Sequence, residues 1–536
     1  MNKEQQHTKH SITSPLRGGL GGFRFLGPRG MGLFAFASVI SLFTLVAFNL
    51  PVFSYAWTHA SMGTVEKAFV VASLGVIMLA LNMMLTYVLV YLLRIVGRLL
   101  IAVTLIIDAL AEYFVLVYSV MLDDTMMSNI FNTRYSEASG YFSYPMLVWV
   151  VVLGVFPAIW VVWQPVVRGT KKQLAKVCGG ALGVSLLLIV ANINHTLWIS
   201  NNDTELGGLS MPWSYIANTY RYINMHHVTE EPERQLPKGE ISDTTRTAVV
   251  LVIGESARRD NFSLYGYKRL TNPLLAKQQG LTCYDAQSCA TYTTAGVRAI
   301  LEPKDDGPLF EILPNYAQRC GVDVSWRTAN WGEPPVKAKE YLRLGDLEKM
   351  FPKVSPDEDG ILFCGLKERI VSSKSRKVLI ILHTTTSHGP DYCLRVPKSF
   401  HKFQPVLDNI EEAEKNPQAL INAYDNSILY TDYLLSGLID TLRTMEGWQT
   451  AMMFVSDHGE SLGENEIYMH GIPKDMAPKQ QYQIPFLVWT SDGFRTLKPK
   501  AKIDQHWVFH SVIDLLGIKT EAYNGDRDVF ATPKAH

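Results

Sequence analysis

Asp457 and His458 stand side by side in "MMFVSDHGES", where an apolar run stops at two strong metal ligands and a glycine. The same strand-then-loop setting recurs upstream, where Glu255 closes "AVVLVIGES" and Thr291 follows "AQSCA". Two carboxylates, an imidazole and a hydroxyl are what a divalent metal activating an alkoxide nucleophile requires. A threonine hydroxyl is a poor nucleophile at neutral pH, but zinc lowers the pKa of bound water from about 15.7 to about 7, and similar polarisation would arm Thr291. The expected ligand set is Glu255, Thr291, Asp457 and His458. Its imidazole favours zinc over manganese or magnesium. His388 in "TTTSHGPDY" and His470 in "YMHGIPK" could bind phosphate oxygens or protonate a leaving alkoxide. Lys337 in "NWGEPPVK" could hold a phosphate as a point charge.

Such groups need strands that end together. Short β-branched runs, "TAVVLVIGES", "KVLIILHT", "AMMFVSDH" and "IPFLVWT", alternate with helical patterns at 419–444 and 505–516. That rhythm predicts an α/β layer fold with a largely parallel sheet. Ligands of open α/β sheets gather beyond the carboxyl ends of the strands. Glu255, His388 and the Asp457/His458 pair each come just after an apolar strand candidate, so they are expected to converge there.

Of the 536 residues 47% are hydrophobic and the formal net charge is zero, which points to neither nucleic-acid binding nor disorder. The apolar residues are unevenly spread. Segments 31–53, 67–92, 100–120, 144–163 and 175–194 are nearly uncharged and long enough to cross a hydrocarbon core of about 30 Å, which predicts five transmembrane helices. Asp108 and Glu112 in the third span are expensive in lipid and are expected to face the bundle interior or a watery cavity. Lys3, Lys9, Arg17, Arg24 and Arg29 precede the first span, and Arg94, Arg98, Arg168, Lys171 and Lys172 mark two further loops on the same side. The positive-inside rule then makes residues 1–30 cytoplasmic, and an odd number of crossings exports the remainder of the chain, into the periplasm of a bacterium. The expected organisation is a transmembrane domain at 31–194, an aromatic-rich interfacial connector at 195–245 and an exported catalytic domain at 246–536.

The motifs "VIGESARRDNFSLYGY", "SCATYTTA", "SHGP", "INAYDNSILYTDYLL", "SDHGESLGE" and "HGIPK" resemble those of the bacterial phosphoethanolamine transferases of lipid A and related surface glycolipids, the family that includes the mobile colistin-resistance enzymes. The resemblance runs from the first span to the C-terminus. It implies a five-span anchor carrying an alkaline-phosphatase-like, sulfatase-like domain with a mixed sheet. It also implies a zinc site at Glu255, Thr291, Asp457 and His458, with Thr291 as the phosphoryl-accepting residue and His388 and His470 on the phosphate side. "SNIFNTRYSE" supplies Asn129, Thr133 and Glu137, which the resemblance assigns to the ethanolamine end of the substrate. The implied partners are phosphatidylethanolamine as donor and lipid A or a related glycan as acceptor, with reduced polymyxin sensitivity as the phenotype. One departure stands out: many members carry a second cysteine about ten residues beyond the one before the nucleophile, where this chain reads "TTAGVRAIL", and Cys283 with Cys289 becomes an alternative pair. A sulfatase would need Cys or Ser in a C/S-x-P-x-R setting, and no cysteine here has that context. A glycerol-phosphate transferase or membrane phosphatase of the same superfamily would use the same threonine and metal ligands, and stays open on sequence alone.

Overall fold

The structure, a computed structural model, describes residues 30–531 apart from positions 61, 119, 124–125, 128–129, 132–141, 229–233, 242, 305–309, 353, 355–358, 408–412, 414, 492–493 and 500–501. Asn129, Thr133 and Glu137 therefore lie outside the described residues, as does nearly all of segment 1–30.

Residues 31–53 do not form the single straight span expected from their hydropathy. The chain bends by 55° between α1 (Leu33–Phe48) and α2 (Leu50–His59). Pro51 accounts for the break, because it has no N–H for the Ala47 carbonyl and its ring crowds that carbonyl. Asn49 holds the corner. It is fully buried, its amide donates to the carbonyls of Thr44 (3.0 Å) and Met211 (3.2 Å), and its Oδ1 accepts the Met211 N–H at 2.9 Å. Four other helices are each long and apolar enough to cross a bilayer: α3 (Thr64–Leu93), α4 (Ile95–Tyr118), α5 (Tyr144–Trp163) and α6 (Lys171–Ala191). With the bent pair taken as one crossing the count among the described residues is five. Asp108 and Glu112 are buried on α4, and Tyr215 of α7 (Trp213–Val228) donates to Asp108 Oδ1 at 2.9 Å. Both carboxylates thus point inward, as their cost in lipid requires.

The rest of the chain builds one eight-stranded sheet. Its strands are β1 (Thr247–Gly254), β2 (Thr282–Gln287), β3 (Asp323–Thr328), β4 (Glu340–Arg343), β5 (Lys377–His383), β6 (Gln449–Ser456), β9 (Gln483–Thr490) and β10 (Lys502–Asp504). A hairpin of β7 (Ser461–Glu464) and β8 (Ile467–Met469) lies outside it. The order across the sheet is β10-β2-β9-β6-β1-β5-β3-β4, and β9 alone runs against its two neighbours. All eight residues of β1 are buried, the signature of a central strand covered on both faces. Successive side chains alternate between two cores. Ala248, Val250 and Val252 join the layer containing α9 (Pro417–Arg443), whereas Val249, Leu251 and Ile253 join the one containing α8 (Thr293–Leu301) and α10 (Trp507–Leu515). Truncating Leu251 or Ile253 to alanine would cost roughly 2–5 kcal/mol. Tyr113 and Tyr118 of α4 and Val120 beyond it belong to the first of these cores, so the third span is packed directly onto the exported domain.

Candidate active site

Parallel pairing of β1 with β5 and β6 brings their carboxyl ends level: Ile253 lies opposite His383 and Val455, and Gly254 opposite Ser456. The next residues along each strand, Glu255, Thr384 and Asp457, therefore leave the sheet at one edge. Glu255 Oε1 is 3.2 Å from His458 Nε2, and Asp457 Oδ2 is 3.4 Å from the same nitrogen. All three side chains are buried. His458 Nδ1 is bonded to the Gly459 carbonyl at 2.8 Å, leaving Nε2 to face the carboxylates.

The hydroxyl completing this group is not the one expected. Thr291 is buried, but its Oγ1 donates to the Ile472 carbonyl at 2.6 Å, while its own carbonyl accepts the Gly471 N–H at 2.8 Å. Thr293 takes the place expected of Thr291. Its Oγ1 lies 3.4 Å from both Glu255 oxygens and 3.3 Å from His458 Nε2. The physical reason is the start of α8: Thr293 is its first residue, so its side chain projects from the helix N-terminus toward Glu255 and His458, whereas Thr291 is still in the preceding turn. A side chain at Gly296, one turn further on, would put a Cβ 2.2 Å from the Asp457 carbonyl oxygen, so this glycine permits the close seating of α8. A threonine opening a helix ahead of an apolar run is a recognisable N-terminal signal, present in "YTTAGVRAIL".

The donor geometry fits a small divalent cation. Bonds of about 2.0–2.1 Å in a tetrahedral site put neighbouring ligand atoms about 3.3 Å apart. The separations of Glu255, Thr293 and Asp457 from His458, and of Thr293 from Glu255, all fall between 3.2 and 3.4 Å. Asp457 Oδ2 is fully buried, has no hydrogen-bond partner among the described residues, and lies 3.4 Å from the same His458 nitrogen. Electrostatics agree. Burial raises the Glu255 carboxyl, but a hydrogen bond and charge from His458, joined by His388 and His470, overcome it and hold Glu255 well below the usual carboxylate range. Burial together with the charge of Glu255 pushes Asp457 well above that range. Two buried carboxylates in one site oppose each other's ionisation, and a cation between them removes the conflict.

His470 also comes within 4.8 Å of Glu255 and His458. Its Nδ1, however, faces Glu460 at 3.3 Å, and its ring stands 4.2 Å from that of His458 and 5.4 Å from that of His388. His388 Nδ1 is bonded to the Gly389 carbonyl at 2.6 Å. Asn330, which sequence reading did not single out, donates to Glu255 Oε2 at 2.7 Å and to the Thr384 carbonyl at 2.8 Å.

Thr293, His388 and His470 form one wall of a cavity of about 540 Å³. The rest of its lining is largely apolar and includes Ile107, Leu110, Ala111 and Phe114 of α4, in the membrane domain, and Tyr215 of α7, in the connector. A hydroxyl and two imidazoles thus meet a largely apolar surface in one space. Lys337 is exposed and does not line this cavity; its backbone is tied to Asn315 and Gln318.

Comparison with known proteins shows the same division. Residues 247–518 match the family described as Sulfatase, and residues 77–227 match that described as Phosphoethanolamine transferase EptA/EptB. The chain is 37% identical over 421 residues to the phosphoethanolamine transferase EptA of Helicobacter pylori, covering 76% of this chain and 80% of that protein. It is 30% identical over 420 residues to the phosphatidylethanolamine transferase Mcr-1 of Escherichia coli, covering 72% and 77% respectively. Its fold resembles that of the integral membrane protein lipooligosaccharide phosphoethanolamine transferase A from Neisseria meningitidis, with a TM-score of 0.82 and 25% identity over 94% of this chain and 99% of that one.

Proposed function

Because the chain belongs to the phosphoethanolamine transferase family and is a membrane-anchored enzyme with its catalytic domain in the periplasm, we propose that it moves phosphoethanolamine from phosphatidylethanolamine to lipid A through a covalent Thr293 intermediate. The organisation fitting this reading is the one expected from sequence, a membrane domain at 31–194, a connector at 195–245 and a catalytic domain at 246–536. The observation that carries it is the Thr293 hydroxyl, set beside Glu255 and His458 on one side and open to a largely apolar cavity on the other.

Glu255, Thr293, Asp457 and His458 would hold zinc, the ion their mixed carboxylate and imidazole donors favour over magnesium or manganese. Bound there, zinc would lower the pKa of the Thr293 hydroxyl and offset charge building on the phosphoryl oxygens. Thr293 Oγ1 passes its proton to Glu255, the carboxylate it faces, and attacks the phosphorus. The bond from phosphorus to the diacylglycerol oxygen breaks, and His388 or His470 supplies the proton that this alkoxide takes as it leaves. In the second half a hydroxyl or phosphate of the acceptor attacks the phosphothreonine, giving any proton to one of the same histidines, and the bond to Thr293 Oγ1 breaks as that oxygen takes its proton back from Glu255. The α8 N-terminus adds a partial positive charge where the anionic group sits. Asn129, Thr133 and Glu137 would receive the ethanolamine end; Ile130, beside Asn129 in sequence, lines the cavity. Adding a cationic ethanolamine to an anionic glycolipid would weaken binding of polymyxin and similar peptides.

The test is the intact mass of the full-length protein in detergent after incubation with zinc and phosphatidylethanolamine. A gain of one phosphoethanolamine, mapped by peptide sequencing to Thr293, supports the reading. Free phosphate without an adduct would move the protein to the phosphatase branch of the superfamily, and an adduct on Thr291 would refute the assignment of the nucleophile.

A further inference from the structure

Ser256, directly after Glu255, has a φ of 53°, a left-handed conformation that residues with a β-carbon adopt only where surrounding contacts impose it. From that conformation it serves both carboxylates: its N–H donates to Asp457 Oδ1 at 3.0 Å and its Oγ to Glu255 Oε1 at 2.9 Å. Besides these bonds and that of the Ala257 N–H to Ser456 Oγ at 2.8 Å, the backbone here is held by Tyr424 in α9. Its phenol donates to the Ser256 carbonyl at 2.7 Å and accepts the Arg258 N–H at 2.8 Å, so one oxygen bridges the backbone on both sides of Ala257. Tyr424 is fully buried, its ring meets Tyr392 edge-on at 5.2 Å, and it does not line the cavity. An apolar ring would fill that position in the core equally well. The hydroxyl is placed for the backbone alone.

We propose that Tyr424 is a positioning residue for the metal centre: its hydroxyl holds Ser256 in the left-handed conformation and through it sets the directions of Glu255 and Asp457. This rests on the proposed metal centre at Glu255, Thr293, Asp457 and His458.

The experiment uses metal-free full-length protein in detergent, titrated with Co²⁺ and read by its visible absorption, with thermal melts of the metal-free forms alongside. Tyr424→Phe should bind Co²⁺ about tenfold more weakly, the scale on which outer partners tune metal sites, with an altered band shape. Tyr430→Phe, a hydroxyl removed from the same helix where it packs on Phe400, should bind like wild type. Glycine reaches a φ of 53° unaided, so in a Ser256→Gly background the added effect of Tyr424→Phe should largely vanish. Wild-type affinity and spectrum in Tyr424→Phe, or an equal loss in both backgrounds, would overturn the proposal and leave Tyr424 a packing residue. Glu255→Gln separates the two levels: if it too bound Co²⁺ like wild type, the metal centre itself would be misassigned and the inference would fall with it.

Discussion

Thr293 Oγ1 lies 3.3 Å from His458 Nε2, while Thr291, two residues earlier, turns its hydroxyl away to the Ile472 carbonyl. The two threonines should therefore separate cleanly. Thr293→Ala is expected to lower kcat/KM by roughly 10⁴-fold or more, as loss of a nucleophile does. Thr291→Ala removes one buried hydrogen bond, costing about 1–2 kcal/mol of stability, with kcat/KM falling no more than about tenfold. Side-by-side transfer assays decide this; comparable losses in both variants would contradict the assignment.

Chelation should abolish transfer, and zinc should restore it, because the buried Glu255 and Asp457 converge on the His458 imidazole with a charge conflict that a divalent cation resolves. Glu255→Gln should both weaken metal retention, by about 10-fold or more, and resist rescue at zinc levels that restore wild type. Metal content by elemental analysis, taken with activity on the same samples, is the measurement. Full turnover in a preparation lacking stoichiometric metal would rule out the proposed centre.

The cavity predicts a steric phenotype. Ala111→Trp places a large ring on its apolar wall, and should reduce kcat/KM for a long-chain lipid donor by about tenfold or more while leaving metal content unchanged. Leu187→Trp, on an exposed face of α6, serves as the control and should behave like wild type. Equal activity of the two variants would show that the donor does not use this space.

His510 provides a pH signature away from the active site. Its Nε2 is bonded to the Pro303 carbonyl and its Nδ1 accepts the Asn524 N–H, which locks the neutral ring. Burial, with Arg527 and His506 adding to it against the opposing Pro303 bond, lowers its pKa to about 4. An unfolded histidine titrates near 6.5, so between about pH 6.5 and 4 the unfolded chain takes up a proton that the folded one refuses. This contribution is full above about pH 6.5, declines as the pH falls and levels off below about 4, a total loss of about 3 kcal/mol. Thermal melts across this range should show His510→Asn with a shallower slope than wild type; identical slopes would exclude His510 as a source of the decline.

The strand ends were legible because an apolar run that stops at a charged or metal-binding residue has few alternatives in a covered sheet. Glu255, Asp457 and His458 were read on that basis, and parallel register explains why they meet. The choice among Thr291, Thr293 and Thr294 was not legible in the same way. It depends on which residue begins α8 and on a contact with Ile472, 181 residues away in sequence. Asn330 and Tyr424 escaped notice for a related reason: each acts through a backbone or carboxylate partner brought close only by the fold. The bend at Asn49 had a visible cause in Pro51, but the uniform hydropathy of residues 31–53 concealed it.

The cavity that α4 lines together with Thr293, His388 and His470 alters what concentration means for this enzyme. A donor that reaches Thr293 through that apolar space arrives by lateral diffusion in the leaflet, and its availability is a surface density rather than a molarity. Saturation should then track the mole fraction of donor in a mixed micelle or vesicle, and diluting the membrane with inert lipid should slow transfer even when the total amount of donor in the tube is held constant.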